Sequence, residues 1–491
     1  MSSTLTAANK VPLLREACLI GGTWLSGDEQ NSIAVTNPAT GEIIGRVPRF
    51  GRAETAQAID AASKAFQSWS KMTAVERCNL MHSWADLIIE NQTDLAKLLT
   101  IEMGKPLAEA AGEVTITANY IRFFAEEGKR VYGDVIPSPW QGRRIFVTKE
   151  PIGVVGAITP WNFPSSMLGR KLAAALGSGC TVVAKPASQT PYSALVLGKL
   201  AEDAGIPAGV INIITGTAAE IADELCENDK VRKITFTGST PVGKQLASKA
   251  LANMKKVSME LGGNAPFIVF DTANIDKAVE GAIASKFRNS GQTCVCANRI
   301  YVQSGVYEEF SAKLKVAIEV QLRVGNGLKA GVTQGPLIDS NAVAKVEELI
   351  SDAVEKGGTV VTGGKRDAQG GTFFEPTLLL NATPDMKVAK EETFGPFAPV
   401  FKFESEEEAI NMANDTEYGL ACYFYTQDLG QTFRVMDALE YGLVGVNEGV
   451  ITTEYAPFGG YKDSGMGNEG SKYGIDDYIN IKYSCIGGLS L

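Results

Sequence analysis

Two places in this chain hold residues that could work together on a carbonyl compound. Cys294 closes the stretch Phe287-Arg288-Asn289-Ser290-Gly291-Gln292-Thr293-Cys294, and Glu260 stands in Met259-Glu260-Leu261-Gly262-Gly263. A cysteine can attack a carbonyl carbon and hold it covalently. A carboxylate can then take a proton from the water that releases it. Gly291, shortly before the thiol, permits a tight turn that presents the sulfur to a cleft. The chain has one histidine, His82, and it falls inside a helical pattern where a packing or surface role is the plain reading. A Cys–His pair is therefore not the expected machinery. Alone, Cys294 reads equally well as an inert buried thiol, and Glu260 as a surface carboxylate at a strand end. Their company decides between these readings.

That company lies in four further motifs. Thr159-Pro160-Trp161-Asn162-Phe163-Pro164 follows an apolar run. Its prolines fix the loop and leave the Asn162 amide as a donor, suited to an oxyanion together with the Cys294 backbone N–H. Gly238-Ser239-Thr240-Pro241-Val242-Gly243 follows a strand and opens a helix, a place where backbone N–H groups suit a pyrophosphate, although it is not the G-x-G-x-x-G pattern. Lys185-Pro186-Ala187-Ser188 ends another strand, and residues 184–190 contain no Asp or Glu. A carboxylate there would accept from an adenosine 2′-hydroxyl and repel a 2′-phosphate. Lys185 and Ser188 therefore favour NADP, with NAD the weaker partner. Glu392, in Glu391-Glu392-Thr393-Phe394-Gly395-Pro396, reads as an acceptor for a ribose hydroxyl. Cys296, two residues beyond the candidate nucleophile, reads either as a packing residue or as a thiol that traps Cys294 in a strained, easily reduced disulfide.

These residues need a frame. Apolar residues recur at helical intervals over Ala53–Trp69 and Ala74–Met103. From 151 onward short apolar runs alternate with helical stretches: strands at Ile152–Ile158, Thr181–Ala184, Val210–Ile214 and Lys233–Phe236, helices at Ser165–Leu176, Tyr192–Ala204 and Ala218–Glu227. Lys256–Met259 reads as a strand ending at Glu260. Such alternation means βαβ units and a parallel sheet that binds ligands at the carboxyl ends of its strands. A second α/β series starts near Ala265, with strands at Pro266–Phe270 and Arg299–Val302 and helices at Ile275–Phe287 and Val306–Leu322. Residues 130–148 read as a β-arm, and Asp477–Cys485 as a C-terminal strand.

Composition narrows the class. With 491 residues, 45% of them hydrophobic, the chain can bury more than one core. A formal net charge of −10 argues against nucleic acid or an anionic membrane as partner. No apolar run approaches the roughly 20 residues that cross a bilayer, and residues 1–10 show no leader pattern. Eight cysteines without paired spacing suggest reduced thiols and a cytoplasmic setting. No Cys/His cluster has zinc-site spacing in the sequence, so no metal is expected.

Taken together, these motifs resemble the aldehyde dehydrogenase superfamily over nearly the full length. Pro457-Phe458-Gly459-Gly460 followed by Lys462, Ser464 and Gly465 matches its C-terminal signature. The resemblance implies an α/β fold with a Rossmann-like cofactor domain (1–129 and 150–260), a catalytic α/β domain (261–462), and an oligomerisation arm with a C-terminal strand (130–149 and 463–491). It implies a homodimer or homotetramer. It assigns Cys294 as nucleophile, Glu260 as general base and Asn162 as oxyanion donor. It places the cofactor against Pro160, Trp161, Asn162, Lys185, Ala187, Ser188, Gly238, Ser239, Leu261, Glu392 and Phe394. Phe287-Arg288-Asn289, Cys294-Val295-Cys296-Ala297-Asn298-Arg299 and Gly470-Ser471-Lys472-Tyr473-Gly474-Ile475 look most like the succinate-semialdehyde subgroup. That subgroup implies Arg170 and Arg288 as holders of a substrate carboxylate, since a guanidinium grips a carboxylate with two parallel hydrogen bonds. It also places Thr452-Thr453 where relatives carry Ser-Ser, which keeps the hydroxyls and adds methyl groups. The substrate expected is succinate semialdehyde, with glutarate semialdehyde or a broad range of aliphatic aldehydes as the alternative. A cofactor-independent cysteine hydrolase is the rival class.

Overall fold

The computed structural model describes residues 13–489, so the N-terminal stretch read for a leader lies outside the described residues. The first sheet has eight strands. Its five inner strands run parallel, in the order Ile211–Ile213, Thr181–Lys185, Val154–Ile158, Val231–Thr237, Lys256–Glu260. Every residue of Val154–Ile158 and Thr181–Lys185 is buried, as expected where helices cover both faces of a parallel sheet. The chain starts in the middle of these five, winds to one side, and returns to wind to the other. The switch falls between Val154–Ile158 and Val231–Thr237, and a crevice opens there beyond the carboxyl ends.

The helices of this half are α1 (Arg52–Trp69), α2 (Ala74–Glu90), α3 (Gln92–Met103), α4 (Leu107–Glu127), α5 (Pro164–Ser178), α6 (Tyr192–Asp203), α7 (Ala218–Glu227) and α8 (Thr240–Ala252). The single helical stretch expected over 74–103 is two helices. Asn91 breaks it: its side-chain amide donates to the Leu87 carbonyl at 2.8 Å, and its backbone is non-helical at φ −98°, ψ 11°. Such side-chain competition with the backbone is why Asn favours helix ends. α4 is absent from the sequence reading, yet it packs along α5 and α2 and proves important below.

The second sheet has seven strands, all parallel except for one edge pair, with Ala297–Gln303 and Ala265–Val269 near its centre. It meets the site from the opposite direction. Gly263, Cys294 and Pro396 all precede strands of this sheet, so the strand beginnings of the second sheet face the strand ends of the first. The sequence reading placed ligands at carboxyl ends only; the thiol comes from an amino end.

The expected arm is a three-stranded antiparallel sheet of Asp134–Ile136, Arg144–Pro151 and Ile479–Ile486. The last strand follows a 3₁₀ stretch, Lys472–Tyr478, rather than beginning at Asp477. Val135, Ile136, Ile481, Tyr483 and Ile486 stand exposed on this arm. All eight cysteines are free. Among the described residues no helix is long and apolar enough to cross a membrane.

Candidate active site

Cys294 is the half-buried member of a largely buried segment, and it lines two cavities. Its presentation depends on three successive residues in the left-handed region: Asn289 at φ 52°, Ser290 at φ 55° and Gly291 at φ 76°. A Cβ on Gly291 would sit 2.1 Å from the Gly395 carbonyl oxygen, so only glycine fits this close approach. Asn289 is held in its conformation by its own amide, which donates to the carbonyls of Asn162 at 3.1 Å and Gln292 at 3.2 Å, and by Glu109, which accepts from its backbone N–H at 2.8 Å.

The Asn162 amide donates to the Gln292 carbonyl at 3.0 Å, which fixes its orientation. Its oxygen is buried without a partner. An amide nitrogen carries two hydrogens, so one N–H remains beside Cys294 in the same cavity. Behind it, Lys105 donates to the Asn162 carbonyl at 2.8 Å and pairs with Glu113 of α4 at 2.5 Å, both side chains fully buried. The other Glu113 oxygen accepts from the Ser165 and Ser166 backbone N–H groups at 2.9 and 3.1 Å, satisfying orphan donors at the start of α5. Sequence reading missed this pair. Its only signal was a lysine before Pro106, and its partners are scattered along the chain.

Glu260 is the last residue of its strand. Both its carboxylate oxygens are buried and lack a hydrogen-bond partner. Burial holds its carboxyl well above the ordinary range, the nearby Glu469 pushes the same way, and Lys171 and Arg170 offset part of the effect. A buried carboxyl left unbonded is costly, and such groups gather at functional sites. Glu469, also missed from sequence, accepts from Arg170 at 3.4 Å and from Lys171.

Burial likewise pushes the Cys294 thiol up to about 12, with Glu392 adding to the effect and Arg170 opposing it. The protein without cofactor should thus carry a neutral thiol at pH 7. Its inactivation by iodoacetamide should be slow there and should rise about tenfold per pH unit from 8 to 10. A plateau below pH 9 would contradict this environment.

The first cavity encloses about 250 Å³ between Pro160, Trp161 and Asn162 on one side, Thr237, Gly238, Ser239, Leu261 and Gly262 below, and Glu392 and Phe394 opposite. The Trp161 and Phe394 rings meet edge to face at 5.5 Å. Ser239 caps α8, yet its hydroxyl makes no capping bond, and the Thr237 hydroxyl is buried without a partner. A Cβ on Gly238 would meet the Phe236 ring at 2.4 Å, so only glycine fits against that ring, and its N–H donates to the Glu260 carbonyl at 3.0 Å. The free Thr237 and Ser239 hydroxyls beside a helix N-terminus fit the pyrophosphate of a dinucleotide. Glu392 accepts from the Gly263 N–H at 3.2 Å, and burial raises its carboxyl to about 8. Lys185, Ala187 and Ser188 lie outside this cavity, along the same strand-end edge. Lys185 is buried, donates to the Pro186 carbonyl at 3.1 Å and is lowered to about 8 by desolvation.

The second cavity is a slot of about 30 Å³. Arg170, Arg288, Thr452 and Cys294 line it, with Tyr120, Phe163 and Phe458. Arg288 lies over the Phe163 ring at 5.1 Å and donates to the Thr452 hydroxyl at 3.5 Å. Among the described residues it makes no ion pair. Arg170 sits between the Tyr120 and Phe458 rings, at 4.9 and 5.0 Å. Thr453 is not part of the slot; its hydroxyl donates to Glu454 at 3.4 Å. Cys296 is buried with its sulfur toward the Lys286 carbonyl at 3.4 Å. Met167 and Tyr120 were not anticipated, because apolar lining residues carry no motif, and Phe458 was seen only as part of the C-terminal signature.

The chain has counterparts among known proteins. The model of the aldehyde dehydrogenase family matches residues 24–484. The glutarate-semialdehyde dehydrogenase of Pseudomonas aeruginosa is 60% identical over 97% of this chain and 99% of its own. The NADP-dependent succinate-semialdehyde dehydrogenase of Escherichia coli is 58% identical over 98% of this chain and 99% of its own. A crystal structure of an NADP-dependent enzyme from E. coli superposes with a TM-score of 0.96 at 58% identity, covering 98% of this chain and 99% of that one.

Proposed function

This chain belongs to the aldehyde dehydrogenase family, and on that premise we propose that it oxidises succinate semialdehyde to succinate with NADP. The observation that carries the substrate class is Arg288. It is a cation beside the thiol, stacked on an aromatic ring and without a carboxylate partner among the described residues. An unpaired guanidinium in a slot is suited to an anionic substrate end. Arg170 adds positive potential from the far wall, although Glu469 already shares its charge. The small slot and the Thr452 methyl favour a four-carbon chain. A five-carbon chain is the second reading, supported by the glutarate-semialdehyde dehydrogenase at 60% identity. Steady-state kcat/KM for succinate semialdehyde, glutarate semialdehyde and butanal decides. A preference for butanal would overturn the anionic reading.

In the mechanism we infer, the arginines hold the substrate carboxylate so that its aldehyde carbon faces Cys294. The Cys294 thiol gives its proton to water, the net proton released by the oxidation, and the sulfur bonds to that carbon. The free Asn162 N–H and the Cys294 backbone N–H donate to the oxygen as it becomes negative, which is where preorganised donors count most. A bound nicotinamide supplies a hydride acceptor at this point; Gly238, Ser239, Trp161, Glu392 and Phe394 would hold the dinucleotide. Glu260 takes a proton from water, whose oxygen attacks the carbonyl carbon held on Cys294. The carbon–sulfur bond breaks, the proton held by Glu260 passes to the departing sulfur to restore the thiol and the carboxylate base, and the acid leaves. The raised Glu260 carboxyl suits a base that works near neutral pH. A hydrolase without cofactor would leave the first cavity without a use.

The cofactor preference rests on the absence of acidic residues over 184–190. Ser188→Glu is expected to weaken NADP use and shift the kcat/KM ratio toward NAD, because the new carboxylate repels a 2′-phosphate. A wild-type preference for NAD would defeat this assignment. The exposed apolar residues of the arm support its use in a homo-oligomer, since an unpaired edge of this kind calls for cover.

A further inference from the structure

We propose that Cys78, His82 and Glu126 form a binding site for one divalent transition cation of borderline softness, with zinc(II) the fitting probe, that ties α2 to α4. The site lies outside both cavities. Cys78 and His82 are four residues apart on α2, so they share one face of the helix. Glu126 comes from the last turn of α4. The three potential ligand atoms, Sγ, Nε2 and a carboxylate oxygen, lie within 4.8 Å of one another. The Cys78 sulfur is 3.4 Å from Glu126 Oε1, and His82 Nε2 is 2.9 Å from the same oxygen.

These spacings are close to what a cation needs. Zinc at about 2.3 Å from sulfur and about 2.1 Å from nitrogen and oxygen sets tetrahedral ligand–ligand edges of about 3.4–3.6 Å. The two edges that Glu126 makes therefore have to open by only a few tenths of an ångström, and the sulfur and the imidazole nitrogen lie within 4.8 Å of each other. Thiolate, imidazole and carboxylate together suit zinc or cobalt rather than calcium or magnesium, which take oxygen ligands. Thiolate and carboxylate balance the two positive charges. The half-exposed His82 and Glu126 leave a way in and a fourth position for water. Lys129 holds the other Glu126 oxygen at 2.6 Å, so the carboxylate can bind through one oxygen while the lysine keeps the second. Sequence spacing could not reveal the site, because the third ligand arrives from a different helix. The cation braces α4, whose Tyr120 lines the substrate slot fewer than two turns away.

The test uses the full-length chain in a Cys294→Ala/Cys485→Ser background, which removes the two cysteines that are not buried. After treatment with a chelator and desalting, cobalt(II) is titrated in. The expected result is one equivalent bound, with thiolate-to-cobalt charge-transfer absorption and the strong visible bands of a tetrahedral site, both bleached by zinc(II). Cys78→Ser should remove the charge-transfer absorption. His82→Gln, which deletes the chain's single imidazole, should weaken binding at least about tenfold. Zinc should raise the melting temperature of the background protein and not that of His82→Gln. Glu126→Gln supplies a third variant should either of the others fold poorly. Absence of the charge-transfer absorption at one equivalent, or its survival in Cys78→Ser, would overturn the site.

Discussion

Replacing Glu260 by glutamine should split the reaction in two. The variant keeps the shape of the side chain and loses its ability to take a proton. Cys294 can still capture the aldehyde, and the oxidised carbon is then stranded on sulfur. A stopped-flow trace should show a burst of reduced cofactor, up to one equivalent per subunit, followed by a steady rate about 10²–10⁴-fold below wild type, the usual worth of a general base. Cys294→Ala should show neither burst nor turnover, because without the sulfur no carbon is held for oxidation. The strength of this prediction lies in the state of Glu260: both oxygens buried, neither bonded, and the carboxyl raised by burial and by Glu469. A carboxyl with only a structural role at that depth would carry partners. If Glu260→Gln turns over at the wild-type rate, the base is another group.

Arg288→Ala carries the second large effect. On the proposed function, Arg288 and the substrate carboxylate would form a buried pair, and deleting one member of such a pair costs about 3–5 kcal/mol. That corresponds to a loss of roughly 10²–10³-fold or more in kcat/KM for succinate semialdehyde. Butanal has no carboxylate to strand and should lose little. The ratio between the two substrates is the measurement, because a general disturbance of the site lowers both. Arg170→Ala is a poorer probe. It also releases Glu469, which shares Lys171 and acts on Glu260, so it should damage both substrates. Equal losses for both in Arg288→Ala would mean that Arg288 only supports Phe163 and Thr452.

The legible parts of this protein are those where chemistry and local pattern coincide. The continuous apolar runs at 154–158 and 181–185 announce a covered parallel sheet, and the turn at Gly238-Ser239 announces a helix start. Cys294 and Glu260 stand out only through the motifs that accompany them, at Asn162, Gly238-Ser239 and Glu392. What stays hidden is whatever depends on distant partners. Lys105, Glu113 and Asn162 form one buried unit from two parts of the chain. Glu469 meets Arg170 and Lys171 across almost three hundred residues. The break at Asn91 turns on one side-chain hydrogen bond, which periodicity cannot register. The direction of the second sheet, too, has no local signature: an apolar strand reads the same whichever end faces the site.

The pairing of Glu260 with Gly465 at the edge of the first sheet has a consequence for biosynthesis. Translation delivers the thiol and the carboxylate long before it delivers the residues that seat them: Thr452, Phe458, Gly465 and Glu469 all come from the final stretch. Domains tend to fold as they emerge, N-terminal parts first, so the first sheet can assemble on the ribosome with Glu260 at an open edge. The slot beside Cys294 and the charge environment of Glu260 close only after residues 452–469 have emerged. Until then the growing polypeptide carries the thiol and the carboxylate without the residues that surround them.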